Sequence, residues 1–187
     1  MNYFKNEKNV KDYIKMAEGY DGRLLIDLLK KYLPLGSSLL ELGMGPGKDL
    51  DILSNFFEVI GSDYSQIFLD LYREKNISIE LLLLDAITLE TNRTFDCIYS
   101  NKVLHHLTKE DLKKSFQRQK AVLNDNGLLF HTFWKGDKEE TYHGLRFVYY
   151  TEKELLGIIG DIYELIEIAT YKEMSKNDSI YVILKKK

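Results

Sequence analysis

Short apolar runs alternate with amphipathic segments along most of this chain. That alternation is what a mostly parallel sheet covered by helices on both faces imprints on a sequence. Five runs read as strands, at 38–42, 58–62, 79–84, 95–100 and 128–132, and several are apolar throughout, as strands buried on both sides are. Helical periodicity fills 21–32, 48–56, 66–75 and 109–123. Thr108 with Asp111 resembles an N-terminal cap, and Thr151 with Glu154 forms a capping box that opens a helix at 152–159. Gly127, after Asn124-Asp125-Asn126, marks a turn into the fifth strand. Beyond 159 the pattern changes to two strand-like runs, 163–171 and 179–185. The link at 172–178 is too short for a parallel crossover, so the two should pair as an antiparallel hairpin.

The expected architecture is α/β: a doubly wound, Rossmann-like three-layer sandwich, its seven-stranded, mostly parallel sheet closed by a C-terminal antiparallel hairpin. A length of 187 residues suits one domain spanning 1–187 with a two-sided core, without repeats or linkers.

Composition narrows the partners. A net charge of -3 gives no general attraction for polyanions, and the basic run Lys185-Lys186-Lys187 reads as a solvated tail, so no nucleic-acid partner is expected. Cys97 is the only cysteine, which excludes an internal disulfide and a cysteine-rich metal site and suits a reducing cytoplasm. The N-terminal residues lack the apolar run of a signal peptide, and no apolar stretch approaches the roughly 20 residues of a membrane span. Cytoplasmic location without membrane attachment, as a monomer or homodimer, is the expectation.

The most informative segment is Leu39-Leu40-Glu41-Leu42-Gly43-Met44-Gly45-Pro46-Gly47-Lys48-Asp49, a buried strand running into three alternating glycines and then a helix. Glycine serves where a ligand lies against bare backbone or where φ is positive. The helix start that follows offers N–H groups to an anionic group such as a carboxylate. Asp63 ends the second strand about 20 residues beyond the loop, where nucleotide folds place the carboxylate that accepts ribose hydroxyls. Asp85-Ala86 ends the third strand, where a carboxylate could accept an adenine amino hydrogen. The C-terminal ends of strands one to three would hold one nucleoside across the sheet's switch point.

On these residues the chain resembles the class I S-adenosylmethionine-dependent methyltransferases, particularly the small-molecule branch of ubiquinone-biosynthesis-like and type 11 enzymes. The resemblance runs from about Asp21 to the end. Glu41, Gly43, Gly45 and Gly47 match the family's E/D-x-G-x-G-x-G, Asp63 its acidic ribose ligand, and Asp85-Ala86-Ile87 its adenine motif. Phe95-Asp96-Cys97-Ile98-Tyr99-Ser100-Asn101-Lys102-Val103-Leu104-His105-His106-Leu107 matches its fourth motif closely. The family's turn before strand five is represented by Leu123-Asn124-Asp125-Asn126-Gly127-Leu128-Leu129, which lacks the usual proline. The resemblance implies S-adenosylmethionine as cofactor and S-adenosylhomocysteine as product, with no metal. It implies donor contacts from Glu41, Gly43, Met44, Gly45, Gly47, Asp63, Tyr64, Ser65, Asp85, Ala86, Ser100 and Asn101.

Bland readings compete at each point. A nicotinamide-dependent oxidoreductase would carry G-x-G-x-x-G, whose third glycine would fall at Lys48 rather than at Gly47. Asp63 and Asp85 taken singly could be ordinary turn or cap residues. His131 reads as a residue of the sheet core and Cys97 as a small buried hydrophobe. Adjacent histidines on a helix or strand point apart, so His105-His106 makes a poor bidentate metal site. Packing at a helix entrance competes there with a catalytic role.

Methyl transfer from a sulfonium is an in-line displacement in which alignment and exclusion of water do much of the work. His105 or His106 is the candidate base where the acceptor must lose a proton. Two segments are expected to build the acceptor pocket. One is 13–20, with Tyr13 and Tyr20, which in similar enzymes folds over the cofactor. The other is 133–150, with Trp134, His143 and Arg146, long for a loop unless it binds or covers something. An ordinary small core of its aromatics is the competing reading. Enzymes that methylate amino groups of DNA and many that act on RNA or protein glutamine carry an Asp/Asn-Pro-Pro-aromatic motif after strand four. The corresponding Ser100-Asn101-Lys102-Val103 has no proline, and Pro34 and Pro46 are the only two in the chain. A small-molecule acceptor is therefore the expectation, with a catalytically silent S-adenosylmethionine-binding module as the rival.

Overall fold

A computed structural model describes residues 3–75 and 78–187. Its elements follow in chain order as α1 (Glu7–Met16), α2 (Arg23–Leu29), β1 (Ser38–Leu42), α3 (Lys48–Leu53), β2 (Glu58–Asp63), α4 (Gln66–Arg73), β3 (Leu81–Leu83), β4 (Phe95–Ser100), α5 (Lys109–Val122), β5 (Leu123–Trp134), β6 (Glu139–Tyr142), β7 (Leu145–Val148), α6 (Glu152–Ile159), β8 (Tyr163–Tyr171) and β9 (Ser179–Lys186). The main sheet has the order β3-β2-β1-β4-β5-β9-β8. Its first five strands are parallel, and β9 enters antiparallel between β5 and β8. The seven-stranded Rossmann-like sheet and its closing hairpin thus match the pattern-based expectation. Among the described residues, no helix is long and apolar enough to cross a membrane.

Each face of the sheet is covered because its strands are apolar on both sides. Phe116, Leu155 and Ile159 of α5 and α6 pack with Leu40, Ile98 and Leu129 on one face. Ile26, Leu29 and Leu53 of α2 and α3 pack with Leu39, Cys97 and Phe130 on the other. Asp49 then fixes the site end of this scaffold. Its Oδ1 accepts from Gly22 N at 2.6 Å, and its Oδ2 accepts from Tyr99 OH at 2.8 Å and Asn101 Nδ2 at 3.1 Å. One carboxylate therefore joins the entry to α2, the first turn of α3 and the end of β4.

Several expectations change. Pairing between β4 and β5 passes from Phe95↔Leu123 to Cys97↔Leu128, so the turn expected at Asn124-Gly127 is an excursion inside an extended β5. Asn124 Nδ2 donates to Asp96 Oδ1 across it at 2.8 Å. Lys185 and Lys186 are strand residues, with Lys186 Nζ donating to Leu123 O, rather than a free tail. The expected loop 133–150 folds into a β6–β7 hairpin. The stretch 13–20 is split, with Tyr13 inside α1 and Tyr20 in the exposed connection beyond it. Sequence periodicity missed α1 because only Val10 in it is buried, and Asn6 starts it by accepting from Lys8 N and Asn9 N.

Candidate functional site

The loop after β1 is pinned from below. Gly43 N and Met44 N both donate to Ser62 O at 2.8 Å, and Ser62 Oγ donates to Glu41 O at 2.8 Å. The three glycines serve unlike ends. A Cβ on Gly43 would stand 2.5 Å from Val103 and one on Gly47 2.3 Å from the Tyr72 ring, whereas one on Gly45 would meet only Tyr13, at 3.9 Å. Gly45, with φ of +51°, is the position at which bare backbone faces open space.

That space is a cavity of about 270 Å³ over the C-terminal ends of β1 to β4. Gly43, Gly45, Asp63, Tyr64, Asp85, Ala86, His106, Tyr13 and Arg146, all singled out in the sequence, line it. Asp63 Oδ2 accepts from Gly45 N at 2.9 Å and Oδ1 from Ser65 N at 2.8 Å. Burial outweighs these bonds and lifts its carboxyl from 3.8 to about 6. Asp85 Oδ1 closes a turn by accepting from Ile87 N at 2.7 Å, which leaves its second oxygen for a ligand. Glu41 lies just behind the loop, 3% exposed, and its Oε2 has no partner among the described residues. Burial, with Asp49 and Asp63 nearby, drives its pKa well above the usual carboxylate range. An orphaned buried carboxyl oxygen beside an open glycine cradle suits a cationic or hydrogen-bonding ligand.

The roof comes from the N-terminus. Phe4 and Tyr13 both pack against Phe68 of α4, with ring centroids 5.6 and 5.9 Å away, and Phe4 also meets the His106 ring at 6.3 Å. Ser65 Oγ donates to Phe4 O at 2.6 Å and Lys48 Nζ to Ala17 O at 2.9 Å, one anchor near each end of the segment. Phe4 and Phe68 also line the cavity and carried no motif signal, and tertiary folding alone brings them there; Lys102 of the fourth motif and the Thr108–Asp111 cap line it as well.

Nine singled-out residues besides Glu41 stand off the wall. Met44 packs beneath the loop, and Gly47 is held against Tyr72. Ser65 caps α4, and Asn101 serves Asp49. Ser100 is fully buried against His131 Nδ1 at 2.8 Å, so it faces the core rather than a ligand. Trp134 lies under Lys102, whose Nζ sits 3.9 Å from its ring while donating to Phe133 O and Ser179 Oγ. Burial holds that amine down at about 7. Tyr20 and His143 are exposed, the latter at the β6–β7 tip.

The ninth is His105. The histidine pair lies on a 3-10 turn rather than a regular helix or strand, which sets the rings side by side at 3.9 Å, not pointing apart. His105 is buried and stacked on Phe147 at 5.3 Å, and neither of its ring nitrogens has a hydrogen-bond partner among the described residues. His106 reaches the cavity, and its Nδ1 donates to Arg146 O at 2.6 Å, which leaves Nε2 with the lone pair. Burial lowers its pKa to about 4, so it is neutral at physiological pH. α3 has only six residues and its first turn holds Asp49 and Asp51.

A family model described as "Methyltransferase domain" matches residues 39–127. Among solved structures, an S-adenosylmethionine-dependent methyltransferase from Clostridium acetobutylicum is similar, with TM-score 0.76 at 16% identity, covering 96% of this chain and 99% of that one. A 1,6-didemethyltoxoflavin-N1-methyltransferase from Burkholderia thailandensis, with bound 1,6-didemethyltoxoflavin and S-adenosylhomocysteine, gives 0.78 at 15% over 95% and 86%. An S-adenosylmethionine-bound amino pentose methyltransferase from Micromonospora echinaspora gives 0.75 at 14% over 95% and 97%. No curated protein sequence matches the chain.

Proposed function

We propose that this chain binds S-adenosylmethionine and methylates a small molecule, a reading supported by the match of residues 39–127 to a methyltransferase-domain model and by the likeness of its fold to that of solved methyltransferases. One observation carries the reading: Gly45, Asp63 and Asp85, from three successive strand ends, face one cavity backed by the unpartnered oxygen of Glu41. The residues fit the donor. Asp63 takes the ribose hydroxyls, the Asp85-Ala86-Ile87 turn takes the adenine, and Gly43 to Gly45 carry the amino-acid portion, with Glu41 behind them. When bound, the donor supplies a methyl group already activated on a cationic sulfur.

The chain's own contribution is alignment, exclusion of water and, where the acceptor needs it, proton removal. Phe4 and Tyr13 close the roof, and the hairpin carrying Arg146 and Phe147 closes the side next to the histidines. His106 holds its proton on Nδ1 through Arg146 O, so Nε2 is the atom that can accept one from the acceptor. His105 is buried beside it as a packing residue. A small-molecule acceptor is supported by the size of the cavity over the strand ends and by the small molecules named for the similar toxoflavin N1-methyltransferase and amino pentose methyltransferase. The whole chain serves as one domain in this reading.

Calorimetry with S-adenosylhomocysteine, followed by labelled methyl transfer to fractionated metabolite pools, tests the proposal. Binding with label transfer is the expected result. Absence of binding sinks the donor assignment, and binding without label in any pool leaves the silent-binder reading standing instead.

A further inference from the structure

Behind the cavity runs a feature that the donor site does not use. Ser100, His131, Gln119 and Ser115 come from β4, β5 and α5, and each is completely buried. They form one unbroken hydrogen-bond chain. Ser100 Oγ meets His131 Nδ1 at 2.8 Å, His131 Nε2 meets Gln119 Oε1 at 2.8 Å, Gln119 Nε2 donates to Ser115 Oγ at 2.9 Å, and Ser115 Oγ donates to Ala86 O at 2.6 Å. The carbonyl end fixes every proton. A carbonyl only accepts, so Ser115 donates to it and accepts from the Gln119 amide nitrogen. The Gln119 oxygen then faces His131, whose proton must sit on Nε2, and Nδ1 accepts from Ser100. Burial keeps His131 neutral, its pKa lowered to about 3, which preserves this polarity across the physiological range.

The chain ends on Ala86, a wall residue, and begins on Ser100, one residue before the segment that carries Lys102 and Val103 to the opposite wall. Arg118, one position N-terminal to Gln119, grips the same turn from outside, with Nε donating to Thr88 O and Nη2 to Leu89 O and Thr91 O. Helix α5 therefore holds the 85–91 turn at two points, one of them buried and linked through the sheet.

Resting on the donor assignment above, we propose that the Ser100–His131–Gln119–Ser115 chain is the positioning element that makes this site select adenine. By fixing the Ala86 carbonyl it sets where Asp85 and the following backbone meet the edge of the base. An unbroken buried polar chain whose proton positions are all fixed has one low-energy arrangement, so the turn is held in register before the ligand arrives.

The test compares S-adenosylhomocysteine with S-inosylhomocysteine, in which a carbonyl replaces the 6-amino group, by calorimetry. Wild type should favour the adenosyl ligand by about tenfold or more, because the inosyl oxygen faces the Asp85 carboxylate instead of donating to it. Ser115→Ala unlinks Ala86 and should bring that preference to within about twofold. Gln119→Met breaks the chain one bond earlier, should do the same, and serves if Ser115→Ala does not fold. Ser115→Thr keeps the hydroxyl and should restore the preference. A variant that weakens both ligands equally, or changes neither, overturns the proposal, because loss of stability alone leaves the ratio untouched. Equal affinity of wild type for the two ligands overturns it as well. A wild type that binds neither refutes the donor assignment.

Discussion

The Asp63 carboxylate holds the Gly45 amide at 2.9 Å, tying the exposed tip of the glycine loop to the end of β2. The same carboxyl, lifted to about 6 by burial, is the proposed ribose acceptor, so its ionisation controls the site. Ribose hydroxyls donate to the ionised form, and a proton on Asp63 competes with them. Affinity for S-adenosylhomocysteine should be flat above about pH 6 and weaken toward about tenfold per pH unit below it. Asp63→Asn should lose that dependence and bind about ten to a hundred times more weakly at pH 7.5; calorimetry across pH 5–8 reads both.

Glu41 gives a stability prediction of opposite origin. Its folded-state pKa lies well above its ordinary 4.5, so the folded protein keeps a proton that the unfolded chain releases. Stability from this group is therefore fully present below about 4.5 and declines as pH rises toward the raised value. The difference in melting temperature between Glu41→Gln and wild type should shift in the variant's favour as pH climbs from 4.5. A difference independent of pH would refute the shift.

The glycines separate by assay. Gly45→Ala places a methyl in the open cradle and should cost only about 1–2 kcal/mol of stability, chiefly for its left-handed backbone, while abolishing measurable ligand binding. Gly47→Ala drives a methyl into the Tyr72 ring and should cost several-fold more in a melt, with little folded protein left to titrate. Equal melting temperatures for the two variants would contradict the geometry.

The two histidines should also part company. His106→Ala is expected to lower kcat by about a hundredfold or more with an acceptor that must lose a proton, leaving the affinity for S-adenosylhomocysteine unchanged. With donor kept saturating at every pH, the acidic limb of the wild-type kcat should track the His106 value of about 4, below that of free histidine. His105→Ala should instead lower the melting temperature, since it removes a buried ring stacked on Phe147. A reversed pattern would exchange their roles.

Strand positions were legible wherever burial on both faces left a short apolar run with polar flanks, as at Ser38–Leu42 and Phe95–Ser100. The β6–β7 hairpin was not, because all four residues of Glu139–Tyr142 are exposed and offer no alternation. β3 shrank to Leu81–Leu83, showing that apolar character outlasts pairing at a sheet edge. At the candidate site, the convergence of Gly45, Asp63 and Asp85 on one cavity could be read from their spacing along successive strands. The bond from Ser100 to His131 could not be foreseen, because a serine at a strand's end looks the same whether it faces a ligand or a buried histidine. Phe4 and Phe68 lie far apart in sequence, and only folding makes them neighbours.

The unequal duties of the three glycines bear on how such a loop diverges. Val103 and Tyr72 each guard a glycine by filling the space its side chain would need, so Gly43 and Gly47 can change only together with those partners. Gly45 has no such guardian within the protein. In a descendant that abandons its ligand, the middle glycine is the one released to drift, while the outer two persist as a relic of the packing.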